Sequence, residues 1–120
     1  MNALPSLQTQ SSGLACSRLR VEVAGRTLVR NLDFEVPAGT ITCILGCNGA
    51  GKTMTLHTLA GLRPPASGAV TLETQPLDDW PRRTLARRVG LLTQTTEDPF
   101  PSTVLETVLI GRHPHIGFWQ

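Results

Sequence analysis

One short run of residues carries most of the chemistry legible in this sequence. Gly46-Cys47-Asn48-Gly49-Ala50-Gly51-Lys52-Thr53 sets three glycines ahead of a lysine and a threonine. Lys52 is the only lysine among the chain's 11 Lys and Arg residues, so a lysine in particular is wanted at this place. Glycines allow backbone angles and close approach that a Cβ forbids, and successive N–H groups can then converge on phosphate oxygens. The pattern G-x-x-x-x-G-K-T is the spacing of a phosphate-binding loop. In such a loop the ammonium reaches the β- and γ-phosphates of a nucleotide, and the threonine hydroxyl ligates Mg²⁺. The other reading is a glycine-rich turn with a solvent-facing lysine. A cation at a helix N-terminus is opposed by the helix dipole, so a bound anion explains the position of Lys52 better.

A loop of this kind must leave a buried strand and enter a helix. Before it, "TITCILG" places Ile41, Cys43, Ile44 and Leu45 almost consecutively, the pattern of a strand buried on both faces. After it, "KTMTLHTLAGL" places Met54, Leu56, Leu59 and Ala60 at spacings that share one helical face, with Gly61 as the C-cap glycine. Upstream, "LRVEVAG" and "TLVRNLDFEVPAG" alternate apolar and polar residues and predict an antiparallel strand pair turning at Gly25. Downstream, "AVTLETQ" reads as a strand, "DDWPRRTLARRVG" as a short helix, "VGLLTQ" as a strand and "TTEDPFPS" as a loop. "TVLETVLIGR" reads as a helix, with Val104, Val108 and Leu109 at helical spacing.

The 120 residues, 40% hydrophobic and 17% charged, suit a folded domain or part of a larger one. A net charge of +2 gives no ground for a nucleic-acid partner, which calls for a clustered basic face. The closest approach to a patch is Arg82, Arg83, Arg87 and Arg88, expected as the solvated face of a short helix. No apolar run nears the roughly 20 residues that span a bilayer. Cys16, Cys43 and Cys47 match neither a zinc site nor a disulfide framework, which points to a reducing cytoplasm. The stretch ending at Cys16 lacks the basic and apolar regions of an export signal, and residues 1–17 are expected to be a disordered polar leader. His57 is expected to be a packing or surface residue, and His113 and His115 lack the company that metal ligands keep.

Beyond these residues, the chain resembles the ATP-binding subunits of ABC transporters. "ILGCNGAGKTMTLHTLAGLRPPASG" is similar to that family's phosphate loop and following helix, with Cys47 where proline is common. "VGLLTQTTEDPFPSTVLETVLIGRHPH" resembles its Q-loop region, with Gln94 at the glutamine. The phosphate loop and "GRHPH" most resemble importers of iron-siderophore, haem or cobalamin type. The resemblance implies an α/β P-loop NTPase of ABC ATPase type, with an N-terminal antiparallel β-subdomain and an incomplete core. Residues 18–120 are then the N-terminal part of the ATP-binding domain.

The motif and the resemblance together set the expectation for the site. Gly46, Asn48, Gly49, Ala50, Gly51, Lys52, Thr53 and Met54 form the nucleotide-binding set. Thr53 and Gln94 serve Mg²⁺, and Lys52 and Gln94 are the catalytic pair. The implied partners are membrane permease subunits and a second ATP-binding subunit, which would place the chain on the cytoplasmic face of the cell membrane. The adenine-stacking aromatic of the family should fall just before Gly25, where this sequence has Val23 and Ala24. The signature sequence, the Walker B carboxylates and the switch histidine are not found up to Gln120, so hydrolysis is expected of a complete parent. The alternative is a truncated, non-catalytic nucleotide-binding remnant. A GTPase or kinase is disfavoured by the Q-loop-like "LLTQ" and the lack of a guanine-specificity motif.

Overall fold

Alternating side chains and two tight turns build the antiparallel sheet that supports the loop. The computed structural model describes residues 13–94 and 100–115, and the chain divides into one unit up to Asp79 and another from Trp80. In the first unit, β1 (Leu14–Val23) pairs antiparallel with β2 (Arg26–Val36) on one side and β3 (Ser67–Leu72) on the other. The short β4 (Gln75–Pro76) completes the sheet order β2-β1-β3-β4. Ala24 and Gly25 connect β1 to β2 with φ of 50° and 76°. Glu73 and Thr74 connect β3 to β4 with φ of 51° and 68°. Two consecutive positive φ values make the turn whose twist matches that of the flanking strands.

β1 starts earlier than the boundary expected at residue 18. Leu14 pairs with Val36 and with Leu72, and Cys16 with Phe34 and Val70, so residues 14–17 are sheet rather than leader. Burial raises the pKa of the Cys16 thiol, which donates to the Leu32 carbonyl at 3.4 Å. Residues 1–12, the remainder of the expected leader, lie outside the described residues.

One face of this sheet is covered by α1 (Lys52–Leu59). Leu59 joins Cys16, Leu19, Val21 and Val70 in the buried core, with Met54, Val29, Phe34 and Ile44 packed around them. Of the expected face of Met54, Leu56, Leu59 and Ala60, Leu59 is buried and Met54 packs against the core, but the other fully buried residues of α1 are Thr55 and Thr58. The two threonines can be buried because each donates its hydroxyl one turn back, Thr55 to the Gly51 carbonyl at 2.7 Å and Thr58 to that of Met54 at 2.8 Å. Leu56 is exposed. The C-terminus matches the expectation. Gly61 has a φ of 79°, its N–H reaches the Thr58 carbonyl, and the Leu62 N–H reaches that of His57, which together form a Schellman closure.

Two expected strands do not form. Residues 40–46 and 89–93 carry no strand, and Ile41, Leu45 and Leu92 are 95%, 90% and 95% exposed. The physical reason is the lack of neighbours. A strand of this composition is stable only with ladder partners and cover on both faces, and the described residues supply neither.

In the second unit, α2 (Arg82–Arg88) and α3 (Val104–Ile110) are both short helices. The four arginines of α2 are all exposed, as expected of a solvated face, and two of them also make a tertiary contact. Arg83 and Arg87 both donate through Nε to the Pro114 carbonyl, at 3.2 and 2.7 Å, tying α2 to the turn His113–His115. Most of the expected "TTEDPFPS" loop lies outside the described residues. The apolar side chains of α3, Val104, Leu105, Val108, Leu109 and Ile110, are all exposed, so its start rests on local bonds. Thr103 accepts from the Glu106 N–H at 3.2 Å, while the Glu106 carboxylate accepts from the Thr103 N–H at 2.7 Å and its hydroxyl at 2.9 Å. This reciprocal capping box holds the Glu106 pKa below the ordinary glutamate range, chiefly through the Thr103 backbone N–H and secondarily through its hydroxyl.

Because the folded pKa lies below the unfolded one, the box contributes stability above the unfolded value and loses it as pH falls through the folded value. A carboxylate NMR titration should therefore show Glu106 titrating lower than free glutamate. Thr103→Ala should return it only part of the way, since the backbone donor remains. An ordinary Glu106 pKa in the unaltered chain would contradict the box.

Candidate functional site

The phosphate-loop motif occupies the connection into α1, in the first unit. The first backbone bond of the helix runs from the Thr55 N–H to the Gly51 carbonyl at 2.9 Å. The amides of Lys52, Thr53 and Met54 are thus left pointing out of the helix N-terminus, as at the start of any helix. No side chain caps them, and no acidic residue lies in the first turn. Unpaired donors and the positive end of the helix dipole together make an anion-binding surface.

Gly51 sets the geometry of that surface. Its φ is 91° at the N-cap, and a Cβ there would lie 2.9 Å from the Cβ of Leu28 on β2. Positive φ and steric closeness each exclude a side chain, so this glycine is needed twice. Gly49 also has a positive φ of 83°, but a Cβ there would meet nothing within 4 Å. Between them the loop is drawn tight by the Ala50 N–H on the Cys47 carbonyl at 3.2 Å.

Lys52 curls back over this loop. Its ammonium donates to the Gly46 carbonyl and, at 3.1 Å, to the Cys47 carbonyl. Both carbonyls are exposed loop groups, so the ammonium is held over the cradle by bonds that water can replace. Thr53 is exposed on the first turn, and its hydroxyl is not spent on the helix backbone as those of Thr55 and Thr58 are. This donor set of backbone amides, one ammonium and one free hydroxyl fits a triphosphate with Mg²⁺.

The loop thus brings together Gly46, Asn48, Gly49, Ala50, Gly51, Lys52, Thr53 and Met54 along one continuous stretch. Gln94 belongs to the second unit, where it is exposed at a bend. Cys43 and Cys47 are exposed loop thiols, and no group of His, Cys, Asp or Glu able to hold a metal occurs among the described residues. No helix among them is long and apolar enough to cross a membrane. Two contributors escape the motif. Leu28 abuts Gly51, and Arg63 touches Met54, contacts made across the sequence and carrying no local signal.

Residues 29–116 match the ABC transporter family. The hemin import ATP-binding protein HmuV of Photobacterium damselae subsp. damselae is 38% identical over 84% of this chain and 38% of its own length. The ferric enterobactin transport ATP-binding protein FepC of Escherichia coli K12 is 43% identical over 74% of this chain and 33% of its own length. The chain thus spans well under half the length of these relatives. A solved ATP binding subunit of an ABC transporter superposes with a TM-score of 0.63 over 86% of this chain and 42% of its own, at 21% identity. The fold is therefore that of the α/β P-loop ATPases of ABC type, with its antiparallel subdomain in place and its core incomplete among the described residues.

The two glycines of the cradle should respond differently to substitution. Gly51→Ala combines a left-handed strain of about 1–2 kcal/mol with a backbone shift away from Leu28 and should destabilise by about 2–3 kcal/mol. Gly49→Ala bears only the strain, about 1–2 kcal/mol, and should lose less than Gly51→Ala. Urea unfolding of both variants checks this, and equal losses would refute the close approach.

Proposed function

The chain belongs to the ABC transporter family, and from that premise we propose that residues Gly46 to Met54 grip the phosphates of MgATP. The observation that carries this reading is the helix start at Gly51, with the uncapped amides of Lys52, Thr53 and Met54 and no acid in the first turn. The backbone from Asn48 to Thr53 cradles phosphate oxygens. Lys52 exchanges the Gly46 and Cys47 carbonyls for β- and γ-phosphate oxygens and offsets their charge. Thr53 offers its hydroxyl to Mg²⁺, which when bound neutralises phosphate charge. Gln94 meets the metal or the attacking water and reports the nucleotide state to a permease.

In a complete parent, ATP hydrolysis by two such subunits powers transmembrane import. The family resemblance and the names of the relatives, hemin import and ferric enterobactin transport, support a metal chelate or a cobalamin-like molecule as cargo. The chain then sits at the inner face of the cell membrane through its permease. A second reading, nucleotide binding without catalysis, is favoured by the exposure of Ile41, Leu45 and Leu92 in segments composed as core strands.

Titration of the 120-residue chain with MgATP should give saturable binding. Loss of charge-assisted bonds worth about 1.5–3 kcal/mol predicts that Lys52→Ala weakens it about 10- to 100-fold. Removing Mg²⁺ with EDTA should weaken binding to the unaltered chain more than to Thr53→Ala. ATP turnover by this chain should stay at background. Binding indifferent to Lys52→Ala sinks the phosphate grip, and sustained turnover abolished by that substitution sinks the non-catalytic reading.

A further inference from the structure

The sheet face turned away from α1 carries a charge arrangement that the phosphate loop does not use. Leu19 and Val21 of β1 are buried in the core with Leu59 of α1, so Arg20 between them points to the opposite face, where it is exposed. The ladder is irregular at this place. Leu19 pairs with Leu32 and Val21 with Val29, so the single residue Arg20 stands opposite two residues of β2, Arg30 and Asn31. A bulge of this kind bends its strand and re-aims a side chain. Arg20, Arg30 and Thr27 together line an open hollow of about 340 Å³. On the other side of Arg20 the cross-strand partner is Ser67, which is small and adds no charge.

One of the two arginines is held in place and the other is free. Arg20 Nη2 donates to the Thr27 hydroxyl at 3.2 Å and pairs with the Glu22 carboxylate at 2.5 Å, while the Thr27 hydroxyl donates to that carboxylate at 3.1 Å. The Nε and Nη1 donors of Arg20 make no hydrogen bond among the described residues, and Arg30 makes neither a hydrogen bond nor an ion pair among them. Like charges facing each other across a ladder work against the sheet, and the single carboxylate of Glu22 is engaged by Arg20 and Thr27. A face that served solubility alone would gain from placing an acid opposite Arg20. An anion held between the two guanidinium groups turns the repulsion into two charge-assisted contacts.

We propose that the hollow between Arg20 and Arg30 is a second anion site, which takes the phosphate group of a small soluble phosphate monoester. A phosphate dianion has oxygens enough for two guanidinium groups at once, and these planar donors match its geometry. The volume exceeds what a bare phosphate fills, so a small organic body is held with it. Arg20, fixed by Glu22 and Thr27, is the preorganised half, and Arg30 closes on the ligand from β2. The site lies on the face opposite α1 and does not depend on the phosphate loop.

Titration of the full chain with glycerol phosphate, followed by NMR of the arginine Nε–H groups, tests the site. Saturable shifts are expected at Arg20 and Arg30, and they should persist in Lys52→Ala. Arg30→Gln should weaken this binding about tenfold or more while leaving MgATP binding within about twofold. Removing one of two facing cations should leave the urea midpoint unchanged or slightly higher, which checks the fold. Arg30→Lys keeps the charge without the planar donors and should lose about threefold. Glycerol phosphate shifts confined to Gly49–Met54, or binding indifferent to Arg30→Gln, overturn the site. Retention on vesicles of phosphatidylcholine and phosphatidic acid, with no response to glycerol phosphate, overturns the soluble ligand.

Discussion

The way α1 begins governs the chemistry available to this chain. A helix must leave its first amides without backbone partners, and most proteins hide that cost under a capping side chain. Here Gly51 caps with its backbone alone, in a left-handed conformation pressed against Leu28, and the next three amides stay open. Lys52 is the cation best placed to complete that surface, held over it by two loop carbonyls. The cradle is thus a defect of helix formation kept open by a rigid glycine contact.

The sheet supplies the rigidity. β1 is paired on both sides, its buried residues Leu19 and Val21 meet Leu59 of α1, and the threonine hydroxyls of α1 are satisfied within the helix. The helix is therefore seated by packing at its C-terminal half, while its N-terminal turn is located by Leu28 and by Arg63. Anion binding at the first turn can then proceed without disturbing the core. The segments 40–46 and 89–93 show the opposite condition, apolar composition without sheet partners.

How much of this is legible in the sequence depends on how local each interaction is. The phosphate loop is a contiguous motif whose chemistry is carried by neighbouring residues, and the hairpin is written in alternation and a glycine turn. The start of β1 is not legible, because Leu14 and Cys16 become strand only through Val36, Phe34, Val70 and Leu72. The buried face of α1 is hidden because threonine counts as polar until its hydroxyl finds a carbonyl. Thr103-x-x-Glu106 is a readable capping box that helical spacing alone does not use. Arg63 has no signal at all, since its partner Glu22 lies 41 residues away. The expected strand before the loop reflects a burial that the described residues do not provide.

The central claim is that the open amides at the start of α1, with Lys52, are where this chain meets phosphate. Backbone amide NMR during a titration with MgATP tests it most directly. The account predicts the largest, saturable shifts at Gly49, Gly51, Lys52, Thr53 and Met54, with the α2 arginine segment unmoved. Shifts centred on Arg82 to Arg88, or none in the Gly49–Met54 stretch at saturating nucleotide, would contradict it.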